Sequence, residues 1–178
     1  FHSVNGIVSS TNPSFTRNLD ANGLATIGGN VGLANSMFTG YVSGLRIVNG
    51  AAVFGTSNFD PPSAPATSTG SQTKLLVNFT NASIIDQTMV NNIQTVGDAQ
   101  LDTAVKKFGT ASIEFPSGDA LQYDSGKGLA LETGPFTVEF FVRFIDNVNA
   151  AGDDGNNSRA SIVRTVGTGS GRMVIQRY

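Results

Sequence analysis

Carboxylates at the right spacing hydrolyse glycosidic bonds, so the acidic residues come first. A retaining hydrolase holds its two carboxyl groups about 5 Å apart, and positions i and i+2 on one strand face supply that separation. Glu139, in FTVEFFVRF (136–144), is the acid best placed on a strand, but Phe141 and Arg143 hold the same-face positions that a second acid would need. Glu139 therefore reads as one half of a surface pair with Arg143, or as part of a packed polar face. His2 is the only histidine. A Ser-His-Asp triad would have to use it, and it reads instead as an exposed residue at a strand end. One histidine and no cysteine exclude a histidine-rich or cysteine-based zinc site, a thiol nucleophile and a disulfide framework.

Three further groups have the residue types of a binding site. In Gly152-Asp153-Asp154-Gly155-Asn156-Asn157, Asp153, Asp154 and Asn156 offer oxygens to calcium, which takes about 6–8 of them. The run lacks the spaced acids and closing Glu of a calcium loop, so a plain hairpin loop is the expectation and calcium the alternative. The glycines of GGNVG (28–32) do not open a helix after a strand, which argues against a phosphate cradle. Tyr41, Tyr123 and Tyr178 have rings that stack on sugars when exposed, although a strand Tyr more often packs its ring and wets its hydroxyl. Asn78, Asn81 and Asn156 begin N-x-S/T sequons. No catalytic residue, metal ligand or cofactor is assigned, and the ligand-binding residues stay open.

The chain has 178 residues, with 11 Lys+Arg against 13 Asp+Glu and a net charge of −2. Nothing in it would neutralise a run of phosphates, so nucleic acid is not an expected partner. Charged residues make up 13 %, against the ~25 % usual in soluble domains. Gly, Ser, Thr and Asn fill the difference. The apolar runs are short, such as Phe140-Phe141-Val142, and predict no membrane insertion. Phe1 lies inside an apolar stretch, as in a processed or truncated chain.

The elements that must position these residues are strands, because the apolar period is two. In 136–144, Phe136, Val138, Phe140, Val142 and Phe144 share one face. Segment 111–115 (ASIEF) repeats the pattern with Glu114 outward. Segments 4–8, 38–48, 75–79, 161–166 and 172–176 are further strands, and Gly44 predicts a bulge or a close backbone approach. Residues 99–108 could hold a turn or two of helix. Short strands separated by turn residues predict an all-β sandwich or barrel. The stretch 59–73 (FDPPSAPATSTGSQT) holds three of the six prolines and reads as a linker or a long surface loop.

The flanks of that stretch resemble parts of a known family. Ile27-Gly28, Phe38-Thr39-Gly40-Tyr41-Val42 and Leu45-Arg46-Ile47 resemble the close of a laminin-G-like, concanavalin A-like jelly roll. TKLLVNFTNASIIDQT (73–88), KKFGTASIEFPSGDALQY (106–123) and GPFTVEFFVRF (134–144) resemble the opening of one, with Phe141 where the family usually has Trp. An end precedes a beginning. The resemblance implies that 1–65 is the C-terminal part of one antiparallel jelly roll, 66–72 a linker and 73–178 the N-terminal part of a second. Two other arrangements are open: the two parts complete one sandwich, as in a circular permutation, or neighbouring chains complete each part.

Tandem jelly rolls of this composition resemble bacteriophage tail fibres and virion appendages. The resemblance implies a non-enzymatic structural and adhesive module in the virion, with other copies or other virion proteins, and a host surface glycan, as partners. A bacterial extracellular adhesin on the cell surface is one alternative. An accessory region of a glycan hydrolase, with its acids outside this chain, is another.

Overall fold

The computed structural model describes residues 2–10, 24–29, 37–80, 83–116, 118–124, 134–145, 161–165 and 174–176. These form twelve strands: β1 (His2–Val4), β2 (Ile7–Ser10), β3 (Leu24–Ile27), β4 (Gly40–Asn49), β5 (Thr73–Val77), β6 (Ile93–Val96), β7 (Gln100–Asp102), β8 (Ser112–Phe115), β9 (Ala120–Asp124), β10 (Phe136–Phe144), β11 (Ser161–Thr165) and β12 (Val174–Gln176). A 3-10 turn (Gly70–Gln72) precedes β5. All described pairings are antiparallel, so the chain is all-β, as the period of two predicts.

β4 organises the first sheet. Along one edge it pairs with β10; along the other, Gly40–Val42 pair with β8 and Leu45–Val48 with β5, and β7 lies beyond β8. The second sheet has the order β12-β11-β3-β9-β6. One core joins the two. Val42, Leu45, Ile47, Leu75, Val77, Ile113 and Phe115 from the first meet Ala25, Ile27, Leu121, Tyr123, Ile162 and Val163 from the second. Burying each larger side chain contributes about 1.5–3 kcal/mol, which makes this shared interior the main stabilising element. Phe38 seals one end, with its ring edge-on to Phe115 at 5.9 Å.

The residues expected to fall in two portions are interleaved. β3 and β4, from before 66–72, sit in the middle of the two sheets with strands from 73–178 on both sides. The sheets therefore close across the expected linker.

Two local readings need correction, and a third, left open by the sequence, is decided. Residues 4–8 are not one strand: Asn5 and Gly6 have φ of 51° and 77° and turn the chain into the β1–β2 hairpin. Asn-Gly suits that turn because both positions need positive φ. Residues 99–108 hold β7 and a bent loop instead of a helix. There the Asp102 carboxylate accepts from the amides of Ala104 (2.6 Å) and Val105 (2.8 Å) and fixes a tight turn. The stretch 59–73 runs over the sandwich surface and is bonded to it, as described below.

The bulge expected at Gly44 is present. Glu139 faces Arg46 and Phe141 faces Ser43, so Gly44 and Leu45 together oppose Phe140. Gly44 has φ of 60°, and this conformation keeps Val42 and Leu45 both in the core.

Candidate functional site

The outer face of the first sheet carries ordered rows of side chains, because directly paired residues on neighbouring strands point the same way. The row Arg143, Tyr41, Glu114, Gln100 crosses β10, β4, β8 and β7 in one line. The next row holds Phe141 and Ser43, with Ser112 paired to Asp102 in the same direction. A third holds Glu139, Arg46 and Leu76, and a fourth Thr137 and Val48.

The third and fourth rows are covered. Arg46 and Glu139 form an ion pair, with side chains only 8 % and 14 % exposed. Arg46 Nη1 also donates to the carbonyl of Thr67 at 2.8 Å. Thr137 Oγ1 accepts from the amide of Val53 at 2.9 Å and donates to the carbonyl of Ala51 at 3.2 Å. Asn78 Nδ2 donates to the carbonyl of Ala66 at 3.1 Å. The segment 50–72 is thus pinned across these rows, and Val48 and Leu76, which point away from the core, are nevertheless buried. Phe54 stacks on Phe59 with ring centroids 4.2 Å apart. The amide of Phe59 donates to the carbonyl of Gly6 at 3.0 Å, tying the segment to the β1–β2 turn. A Cβ at Gly6 would collide with the Phe59 carbonyl.

The first row stays open beside an aromatic pair. Tyr41 donates to Glu114 Oε1 at 3.1 Å, and Gln100 Nε2 lies 3.5 Å from Glu114 Oε2. Partial burial and the Glu114 carboxylate push the Tyr41 pKa up. Phe108, from the loop after β7, meets the Phe141 ring edge-on at 5.0 Å. Lys107 Nζ stands 5.6 and 5.7 Å from the centroids of Phe108 and Phe141. The loop itself is held by Ser112 Oγ donating to the Val105 carbonyl. The result is a fixed platform with a guanidinium, a phenol, a carboxylate, an amide and two ring surfaces. Its row carries a single carboxylate and so lacks the paired acids of a retaining hydrolase.

A second polar cluster is closed. The Asp86 carboxylate accepts from the amides of Leu76, Thr88 and Asn91 and from the side chains of Thr88 and Asn91, at 2.6–3.1 Å. It is 2 % exposed. Asp119 does similar work at a corner, where its Oδ1 accepts from the amide of Asp98 at 2.8 Å. Both carboxylates hold loops that pass between elements.

The structure decides two of the readings that the sequence left open. Tyr123 offers no stacking surface: it lies in the core, 1 % exposed, where burial and the nearby Asp86 push its pKa up. Glu139 pairs with Arg46, its cross-strand neighbour, and Arg143 sits in another row. Tyr41 is the tyrosine on the open face. Asn78, the first sequon residue, bonds Ala66 and Gln87 through its amide. Asp153, Asp154, Asn156, Asn81 and Tyr178 lie outside the described residues, as does the side chain of His2. Among the described residues no three His, Cys, Asp or Glu converge as a metal site. Sequence reasoning missed Gln100 and Lys107 and did not join Glu114 to Tyr41. The outward position of Glu114 and Arg143 was readable, but the register that aligns them across 102 positions, 41 to 143, was not.

Comparison with protein-family models, with curated proteins and with solved structures finds no match.

Proposed function

We propose that the chain is a laminin-G-like jelly-roll module of a phage virion appendage or fibre, structural and adhesive instead of enzymatic, which presents a glycan-binding surface to the host. The observation that carries the adhesive part is the open row Arg143, Tyr41, Glu114, Gln100 beside Phe108 and Phe141. A sugar offers hydroxyls in its ring plane and C–H groups on its faces. Glu114 accepts from hydroxyls, Arg143 and Gln100 donate to them, and the rings take the apolar face. The platform is fixed before the ligand arrives, so little ordering entropy opposes binding. This reading needs no cofactor. The virion setting and the jelly-roll assignment rest on the resemblance of 27–50, 73–88, 106–123 and 134–144 to that family, which is an analogy of sequence.

The test is an array of bacterial surface glycans probed with the wild-type chain and with Tyr41→Ala and Glu114→Ala. The reading predicts glycan binding by the wild type and at least a tenfold loss in both variants. Binding that survives both substitutions would move the site elsewhere. No binding to any glycan would remove the adhesive role.

A further inference from the structure

We propose that the peptide bond between Asp60 and Pro61 is an acid-triggered self-cleavage site, and that the cut chain remains one sandwich made of two polypeptides. Asp60-Pro61 is the only Asp-Pro pair in the sequence. Its chemistry sets it apart from the other peptide bonds. The Pro61 nitrogen is alkylated and has no N–H, so it takes a proton and leaves more readily than a secondary amide nitrogen. The Asp60 carboxyl stands on the same residue as the carbonyl it attacks, and such an intramolecular attack replaces a collision from solution. An Asp60 carboxyl oxygen bonds to the Asp60 carbonyl carbon and closes a five-membered anhydride. The bond from that carbon to the Pro61 nitrogen breaks, and the nitrogen leaves as a secondary amine with the proton that the carboxyl has lost. Acid speeds the step by protonating that nitrogen first. Water then opens the anhydride, restores the side-chain carboxyl and leaves a second carboxyl at the new chain end. One water is consumed in all.

The structure leaves this bond free to react. Asp60 and Pro61 are exposed, as are Ser63, Ala64 and Pro65. Among the described residues 60–65 make no hydrogen bond, whereas anchors stand on both sides. Before the bond, Phe59 donates to Gly6 and stacks on Phe54. After it, the carbonyls of Ala66 and Thr67 accept from Asn78 and Arg46. A cut between Asp60 and Pro61 thus breaks none of the bonds that pin 50–72, and exposed, unbonded backbone is where a chain tolerates a nick. The fold then holds the two products together. The piece before the cut carries β3 and β4, each flanked on both sides by strands of the piece after it. Ile27, Leu45 and Ile47 of the first piece share one core with Leu75, Ile113 and Leu121 of the second, and each such side chain contributes about 1.5–3 kcal/mol. The cleavage does not depend on what the open row binds.

The test holds the purified chain in mild acid with protease inhibitors present. Denaturing mass spectrometry follows the cut, and native mass spectrometry follows the products after neutralisation. The proposal predicts two products, 1–60 and 61–178, formed at a rate independent of chain concentration and far more slowly at neutral pH. After neutralisation they travel as one particle, heavier than the intact chain by the mass of a water molecule. Asp60→Ala removes the nucleophile and Pro61→Ala the leaving group, and each slows the cut at least tenfold. In case acid itself unfolds the sandwich, a full-length variant with a specific protease site in place of 61–65 is cut at neutral pH. It should keep its far-UV circular dichroism and stay one particle. A chain that stays whole in acid would overturn the self-cleavage, as would a faster cut at another bond, an equal rate at neutral pH, or an Asp60→Ala chain cut at the wild-type rate. Products of either chain that separate at neutral pH would overturn the two-polypeptide sandwich.

Discussion

The outer face of the first sheet is one surface divided into two halves. Towards β5, rows three and four lie under the segment 50–72, with a charged pair sealed between strand and cover. Towards β8, the first row stands open with its polar groups bonded to one another and aimed outward. The same ladder therefore carries charge in two ways. Arg46 and Glu139 are held out of water and fix structure, whereas Arg143 and Glu114 lie on the open half, where a ligand can reach them. Burial, and not residue type, separates the charges that fix structure from those that stand open.

The largest effect should come from the covered half. Arg46→Ala leaves Glu139 buried without its cation, and breaking one side of such a pair costs about 3–5 kcal/mol. Urea denaturation should show that loss, and Arg143→Ala should cost under about 1 kcal/mol because exposed charges contribute little. Equal losses would erase the distinction between the halves. Gly44→Ala should come next, at roughly 1–2 kcal/mol, because an alanine at φ of 60° is strained. The added Cβ would lie 3.7 Å from the Phe141 ring, an ordinary separation, so the cost is in the backbone. Tyr41→Phe should be the mildest, about 1 kcal/mol or less for one partly exposed hydrogen bond, and on the proposed adhesive reading an array should show glycan binding falling by far more than stability does.

Much of the fold was legible because a strand writes its buried face at every second residue. FTVEFFVRF and ASIEF became β10 and β8, and Gly44 gave away its bulge. What the sequence hid was pairing. β4 and β10 lie almost a hundred positions apart, and nothing local tells Arg46 that its partner is Glu139 and not an acid nearby. Composition left 59–73 open between a linker and a surface loop, because Pro, Ser and Thr suit both, and only the bonds from Arg46 to Thr67 and from Asn78 to Ala66 lay it on the sandwich. Asn5-Gly6 carried a turn signal that a short apolar run obscured. Tyr123 was open between a stacking ring and a packed one, and only the first sheet, packed over β9, makes it core. The open row was half legible, since Glu114 and Arg143 were placed outward and Tyr41 was noted, but the alignment of the three depends on register across three strands.

Amide hydrogen exchange resolved by residue tests the division most directly. The amides of Gly50, Val53, Phe59 and Thr69 donate to Pro135, Thr137, Gly6 and Thr73 respectively. If 50–72 is part of the sandwich, these four amides exchange slowly in the wild type, and Val53 loses its protection in Thr137→Val. If they exchange at the rate of an unfolded chain while β4 and β5 stay protected, the segment is a linker, the covered half is open, and the account fails.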